Sequence, residues 1–466
     1  MTPRLLKLYH RLPPRMRSAA ATLRGWYLNR WRYSGESAAL MDEALERDRW
    51  TAAQWERWQQ ERLAYVLHRA ATRVPYYRDL WAARRRAGDT ASWELLENWP
   101  ELPKDTLRAN PKAFLADDCD IRKMMHGQTS GTTGTPIHIW QSRDTLARLY
   151  AIADARTRVW DGIPASARWV RLGGQLVTPV RQRKPPFWVW NVAMRQLYMS
   201  SYHLAPDLIP HYLDALRKYR IVFLAGYSSA LHALAQQVLR LGRRDLVMRA
   251  AYTNAEPLDQ EQRQTIAAAF QCPVRETYGM VETVAAASEC PSGRLHEWPE
   301  IGHIEVAEDG ELICTGLLNP DMPLIRYRVG DRGRLDTSRS CECGRALPLL
   351  AYVEGRTDDL LFTPDGRAIG RLSQVGKGIT GLRESQIVQE ARDAVRVRVA
   401  LAPGFPANYA AMLTERVRER MGNVRVVVER VAEIPRTSNG KLRAVVCNLP
   451  ADERKALLRE WSAISR

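Results

Sequence analysis

The 466-residue chain has no apolar run near the roughly 18 residues that a membrane-spanning helix needs, and no signal peptide with an apolar core and cleavage site opens it. The first absence argues against an integral helical membrane protein and the second against a secreted one, so the expected location is cytoplasmic. Cysteine is sparse. Seven residues, an odd number scattered through a long chain, argue against a disulfide framework and leave free thiols or a metal site. Lysine is scarce beside arginine, and the net charge of +17 alone does not define a nucleic-acid binder. Acidic residues are missing altogether before Glu36, where Arg4, Lys7, Arg11, Arg15, Arg17, Arg24, Arg30 and Arg32 interleave with Tyr9, Trp26, Tyr27, Trp31 and Tyr33. Residues 1–35 therefore suit either an anionic membrane surface or a helical arm packed on its own domain, with arginine stems covering apolar surface.

With 45% hydrophobic residues, the chain has room for two or three domains and a sizeable core. Residues 1–90 read as an all-helical lead-in, interrupted at Val74-Pro75-Tyr76-Tyr77. From Ala167, short apolar runs alternate with amphipathic stretches. Strands are expected at Trp169–Leu172, Ile221–Leu224, Ala250–Tyr252 and Val274–Tyr278, with helices at Ala230–Arg243 and Asp259–Phe270 between them. Such alternation means an α/β fold with a parallel or mixed sheet. After Asp309-Gly310 the pattern turns to hairpins, with strands at Glu311–Cys314 and Leu324–Tyr327, and predicts a small β subdomain. A second α/β unit begins near Gly355, with strands at Ala394–Ala400 and Val424–Val431 around a helix from Asn408 to Met421. The expected division is 1–90, 91–354 and 355–466.

Residues 129–136 read Thr-Ser-Gly-Thr-Thr-Gly-Thr-Pro. Seven of the eight are hydroxyl residues or glycines, so backbone N–H groups and hydroxyls can converge on an anion. No Gly-Lys-Ser/Thr follows the second glycine and no G-x-G-x-x-G opens a helix here, so this is neither a Walker loop nor a dinucleotide fingerprint. Four further motifs follow in order: Tyr278-Gly279-Met280-Val281-Glu282, Tyr327-Arg328-Val329-Gly330-Asp331, Gly355-Arg356-Thr357-Asp358-Asp359, and Pro435-Arg436-Thr437-Ser438-Asn439-Gly440-Lys441. Any one of these is weak; the ordered set resembles the adenylate-forming superfamily, in the branch of phenylacetate-CoA ligases, CapK-like proteins and coenzyme F390 synthetases.

The resemblance implies a large N-terminal adenylate-forming domain of mixed α/β sheets with a small β subdomain, and a smaller, mobile α/β C-terminal domain. It implies a two-step reaction: a carboxylic acid attacks the α-phosphate of ATP to give an acyl-adenylate and pyrophosphate, and the thiol of coenzyme A then displaces AMP. Transfer to a carrier-protein thiol or an amine, or AMP transfer alone, stays open, as does a non-catalytic nucleotide-binding or membrane-surface protein on the same fold. Thr129, Ser130, Gly131, Thr132, Thr133 and Gly134 are expected to hold the β- and γ-phosphates; Thr135 stands where many members carry lysine. Tyr278, beside Gly279, offers a ring to adenine, and Glu282 a hard oxygen for the Mg²⁺ that bridges the phosphates. Asn254, Ala255 and Glu256 fall where backbone contacts to adenine are implied. Asp331 can accept both ribose hydroxyls, Arg356 resembles the ribose- and phosphate-contacting arginine, and Asp358 the hinge. Lys441 is the expected catalytic residue, a mobile cation for the charge that develops between carboxylate and α-phosphate. The acid pocket is expected along residues 224–228, 252–255 and 278–282, with Tyr227 and Tyr252 as lining residues.

Cys290, His296, Cys341 and Cys343 supply three thiolates and one imidazole, the set of a closed tetrahedral structural Zn²⁺ site. The Cys-x-Cys spacing is tighter than most zinc knuckles, but the same branch resembles the pattern.

Overall fold

The computed structural model describes residues 3–33, 35–129, 136–205, 207–308, 310–338, 340–354, 360–369, 372–376, 379, 381–401, 405–434, 443–454 and 456–457. The lead-in is helical: α1 (Pro3–Arg11), α2 (Pro14–Arg32), α3 (Ser37–Arg47), α4 (Ala52–Arg73) and α5 (Pro75–Arg86). Thr51 and Gln54 form a reciprocal capping box that starts α4. Val74 then adopts the extended geometry that a following proline imposes, and Pro75, which has no N–H to leave unsatisfied, opens α5. A short helix, α6 (Lys104–Ala109), precedes an antiparallel hairpin of β1 (Met125–Gln128) and β2 (His138–Gln141), and α7 (Arg143–Thr157) follows on a Ser142 cap.

Next come β3 (Trp169–Gly173), β4 (Trp188–Asn191), β5 (Gln196–Ser200), α8 (Ile209–Lys218), β6 (Phe223–Gly226), α9 (Ser228–Arg240), β7 (Ala251–Asn254), α10 (Gln260–Phe270) and β8 (Val274–Gly279). Strands β5, β3, β6, β7 and β8 are parallel neighbours, as expected when helices connect strands. Strands β9 (Ala286–Glu289), β10 (Leu295–Glu297), β11 (Gly302–Val306), β12 (Glu311–Gly316), β13 (Tyr327–Asp336) and β14 (Leu349–Glu354) are antiparallel and continue the same sheet through the β8–β9 pair. Among the described residues the order is β11-β12-β13-β14-β10-β9-β8-β7-β6-β3-β5-β4, so the β-rich unit is hydrogen-bonded directly onto the parallel strands.

One predicted strand start is wrong. Leu324 and Ile325 are buried but lie before β13, because Ile325 N–H donates to Tyr77 Oη (3.0 Å), Arg326 N–H donates to Thr315 Oγ1 (3.0 Å), and Arg326 takes a φ of 46°. Side chains there take the backbone donors that a ladder would use, and a left-handed residue cannot continue a strand.

Beyond β14 the chain forms a hairpin of β15 (Leu361–Phe362) and β16 (Ala368–Ile369). A second sheet in the order β19-β18-β17-β20 follows, from β17 (Leu382–Ala391), β18 (Ala394–Leu401), β19 (Arg425–Arg430) and β20 (Val445–Cys447), with α11 (Tyr409–Met421) between β18 and β19. Val397, Val399, Leu413 and Val417 share its core, whereas Leu224, Leu231, Phe270 and Val274 belong to the core under the parallel strands.

Candidate active site

The carboxyl ends of β6, β7 and β8 lie side by side, with Gly226 opposite Thr253 and Asn254 opposite Thr277. Ligands of open α/β sheets bind in the crevice beyond such ends. Tyr227, Ala255 and Tyr278 are the residues the strands deliver there. Tyr278 is half-buried on β8, and its hydroxyl donates to Asp331 Oδ2 on β13 at 3.1 Å, joining two motifs that are 53 residues apart. Burial, and then the adjacent Asp331 charge, hold this phenol well above its ordinary pKa, so it keeps the proton it donates. Gly279 closes β8 opposite Ala286.

Glu282 is only 8% exposed, and its Oε1 accepts a hydrogen bond from Tyr327 Oη at 3.1 Å. Thr283, at a φ of 56°, turns the chain back, and its Oγ1 accepts from Gln141 Nε2 at 2.7 Å. A side chain at Gly127 would begin 3.3 Å from Val281 Cγ1. The 278–283 segment thus packs against the β1–β2 hairpin, whose tip is the hydroxyl-rich loop. At the base of that loop Thr129 N–H donates to Ile137 O, and Ile137 N–H donates to Thr129 Oγ1, each at 3.0 Å. The Thr129 hydroxyl oxygen therefore already accepts one bond from its own hairpin. Ser130, Gly131, Thr132, Thr133 and Gly134 lie outside the described residues, as do Arg356, Asp358 and Lys441.

Asn254 Oδ1 is buried without a hydrogen-bond partner among the described residues, and the next residue, Ala255, holds a φ of 66°. The Glu256 carboxylate is turned elsewhere: Oε2 accepts from Ser229 N–H (3.1 Å) and Ser229 Oγ (2.6 Å), capping the positive end of α9. Tyr252 does not line the predicted pocket. The alternation of β7 sends its ring away from the core under α9 and α10 and edge-on against Phe223, where its hydroxyl donates to Thr157 O and Asp161 Oδ2. Tyr227 stays beside the crevice, near Gly174, whose added side chain would begin 3.4 Å from Tyr227 Oη.

Two residues near Glu282 escaped sequence reasoning. Tyr327 lay inside a quoted motif without a role, and Lys104 Nζ sits 5.9 Å from the Tyr327 ring centre. Lys104 comes from α6, brought in where Leu102 bridges to Tyr327, and nothing local to either segment signals that pairing.

A second cluster unites Cys290, His296, Cys341 and Cys343, whose ligand atoms all lie within 4.8 Å of one another. Cys290 Sγ is 3.6 Å from Cys341 Sγ, and Cys343 Sγ is 3.3 Å from His296 Nε2. His296 Nδ1–H donates to Leu347 O at 3.2 Å, which fixes the tautomer that leaves Nε2 free to ligate. Burial pushes this imidazole down to about 4, so it is neutral near pH 7. Burial also raises the Cys343 thiol, but the Arg345 N–H and neighbouring thiols more than offset that, and its net shift is downward. Tight turns present the sulfurs: Gly293 N–H donates to Cys290 O (2.9 Å) and Gly344 N–H to Cys341 O (3.0 Å), both glycines at positive φ.

Solved structures share this architecture. A 2-hydroxyisobutyryl-CoA ligase in complex with 2-HIB-AMP and CoA, in the thioesterification state, aligns with a TM-score of 0.54 at 20% identity, over 89% of this chain and 94% of that one. The same ligase in the postadenylation state, with R3-HIB-AMP, aligns at 0.51 and 19% identity, over 90% and 94%. The fold is that of the adenylate-forming enzymes. Residues 361–448 match the CapK C-terminal domain family. Protein CapK of Staphylococcus aureus is 26% identical over 388 residues, 80% of this chain and 85% of CapK. A phenylacetate-coenzyme A ligase of Thermus thermophilus is 27% identical over 327 residues, 65% of this chain and 71% of the ligase. By sequence the chain is thus similar to CapK over most of its length and to the phenylacetate-CoA ligases over about two thirds of it.

Proposed function

We propose that this protein is an AMP-forming acid–thiol ligase: it activates a carboxylic acid with ATP through an acyl-adenylate and passes the acyl group to coenzyme A. The observation that carries the reading is the convergence of Tyr278, Asp331, Glu282 and the Thr129–Ile137 hairpin base at the carboxyl ends of β7 and β8, from three separate stretches of sequence. In this reading residues 91–354 form the nucleotide-binding domain behind the lead-in 1–90, and 355–466 form the mobile domain that carries Lys441, pivoting at Asp358.

The residues have distinct tasks. The Tyr278 ring stacks on adenine, and its hydroxyl holds Asp331 for the ribose hydroxyls. Asn254 Oδ1, buried and unpartnered among the described residues, accepts the exocyclic amine of adenine, since an unmet buried acceptor is costly unless a ligand meets it. Backbone groups at Ala255 and Glu256 flank the same base. Glu282, oriented by Tyr327, is an oxygen ligand for Mg²⁺, which when bound neutralises phosphate charge. The 129–134 loop and Arg356 steady the phosphates. The acid is placed on the Tyr227 side and is of the aryl or medium-sized acyl class. ATP and coenzyme A as reagents, and three free thiols or thiolates in one cluster, suit a reducing cytoplasm.

Pyrophosphate release measured against a panel of aryl, fatty and amino acids, with and without coenzyme A, tests the reading. Release with at least one aryl or acyl acid, and acyl-CoA formation when coenzyme A is present, is expected; no release with any acid would overturn it. Adenylate that forms but moves only to an amine or a carrier-protein thiol would correct the acceptor. Tyr278→Phe keeps the ring but frees Asp331. The loss of one hydrogen bond to a charged group is worth about 1.5 kcal/mol, so KM for ATP should rise roughly ten-fold with kcat little changed. An unchanged KM would remove the Tyr278–Asp331 pair from nucleotide binding.

A further inference from the structure

We infer that α1 and α2 form an interfacial surface that docks this enzyme on anionic phospholipid. The inner face of α2 is committed to the protein: Gly25 is buried against Asn191, buried Arg17 donates to Thr178 and to Gln182, and Ser18 Oγ accepts from Trp190 N–H at 3.2 Å. The arm is therefore packed on its own domain, and its outer face is left to solvent.

That outer face is apolar. Met16, Leu23, Trp26 and Tyr27 are 54%, 64%, 61% and 52% exposed, and with Ala19 and Ala20 they recur at three- and four-residue spacing. At about 100° per residue they fill an arc of roughly 120°. Arg15 and Arg24 border the arc on its two sides and Arg30 ends it, all three exposed. On α1, Leu5 and Leu8 are 54% and 59% exposed beside exposed Arg4 and Arg11. A soluble surface helix normally buries its apolar stripe and exposes its charges; α2 instead buries Arg17 and Gly25 and turns its apolar stripe outward.

Charge decides the occupant. Arg4, Arg11, Arg15, Arg24 and Arg30 have no ion pair among the described residues, and no acidic residue occurs in the first 35 positions. A second copy of this face would bring five more unpaired arginines against these. An anionic lipid surface instead offers phosphates to the arginines and acyl boundary to Leu23, Trp26 and Tyr27, the residues that favour that interface. No helix among the described residues is long and apolar enough to cross a membrane, so the binding is peripheral.

The test is co-sedimentation of the full-length protein with vesicles of phosphatidylcholine alone and with 30 mol% phosphatidylglycerol added, at low and high salt. Binding is expected only to the anionic vesicles and should weaken as salt is raised. Two variants, Leu23→Asp/Trp26→Asp and Arg15→Gln/Arg24→Gln/Arg30→Gln, should each lower the bound fraction at least about ten-fold, with pyrophosphate release in solution unchanged. Failure to sediment with anionic vesicles at low salt overturns the inference. So does binding that neither variant weakens, or a lipid-free dimer that the Leu23→Asp/Trp26→Asp change dissociates, since that would make a second copy the occupant. Because solution activity is read separately, a failed ligase assay and a failed lipid assay are distinguishable.

Discussion

Replacing Lys441 with alanine is expected to lower acid-dependent ATP–pyrophosphate exchange by a factor of about 100 to 1000, the cost of removing one preorganised electrostatic group from a transition state. The charge that develops as carboxylate oxygen meets the α-phosphate needs a cation, and in the proposed reading Lys441, which follows Asn439-Gly440 in the sequence, supplies it on closure. The second half-reaction separates this role from a general folding defect. If Lys441 serves adenylation alone, the variant supplied with preformed acyl-adenylate should transfer the acyl group to coenzyme A at close to the parent rate, because the proposed rotation of the C-terminal domain would trade this face for another. Lys441→Arg should not rescue fully, since a planar fork does not reproduce a point charge. Exchange at parental rates in Lys441→Ala would remove the catalytic assignment, while loss of both half-reactions together with a lowered Tm would reassign the residue to structure.

Zinc is the second large effect. Purified protein is expected to carry about one zinc per chain by elemental analysis, and Cys343→Ser to carry none. Bound zinc would tie the β9–β10 hairpin, through Cys290 and His296, to the segment between β13 and β14, through Cys341 and Cys343, and His296 Nδ1–H already donates to Leu347 O, the support a metal-bound imidazole needs. Structural zinc supplies about 10–16 kcal/mol in isolated fingers. A large sheet braces these segments here, so a smaller share, on the order of 5 kcal/mol, should be lost, lowering Tm by roughly 5 °C in a chain of this size. Hydrogen exchange should rise first at residues 290–296 and 341–345. The active-site carboxylates are not ligands, so residual folded protein should keep its KM for ATP. Zinc-free protein as isolated, with Cys343→Ser as stable as the parent, would leave the cluster as buried thiols only.

Much of this molecule is legible locally. The alternation of apolar runs and amphipathic stretches marks β3, β6, β7 and β8 and the helices α9 and α10 to within a few residues, because burial on both faces demands continuous apolar strands and one-sided helices. The break at Val74-Pro75 falls where α4 ends, and the expected start at Asp259 is the N-cap of α10. The failures have nonlocal causes. Leu324–Arg326 reads as strand, yet Tyr77 and Thr315 take its backbone donors. Tyr252 reads as a pocket wall, but which face of β7 it occupies depends on Thr157 and Asp161, contributed from another part of the chain. Lys104 reaches Tyr327 only through a bridge between distant segments.

The residue types for phosphate, ribose, metal and thiolate chemistry, and their order, are properties of the sequence by itself, because hydroxyls, carboxylates and thiols carry their chemistry wherever they stand. Which of them meet was decided by the tertiary structure. Tyr278 finds Asp331, Glu282 finds Tyr327, and Cys290 finds Cys341 because one continuous sheet sets strands far apart in sequence within a few ångströms of each other. The same is true of the amino-terminal arm. Its basic and aromatic composition is written in the chain, but only packing, by burying Arg17 and Gly25, determines that Leu23 and Trp26 face outward.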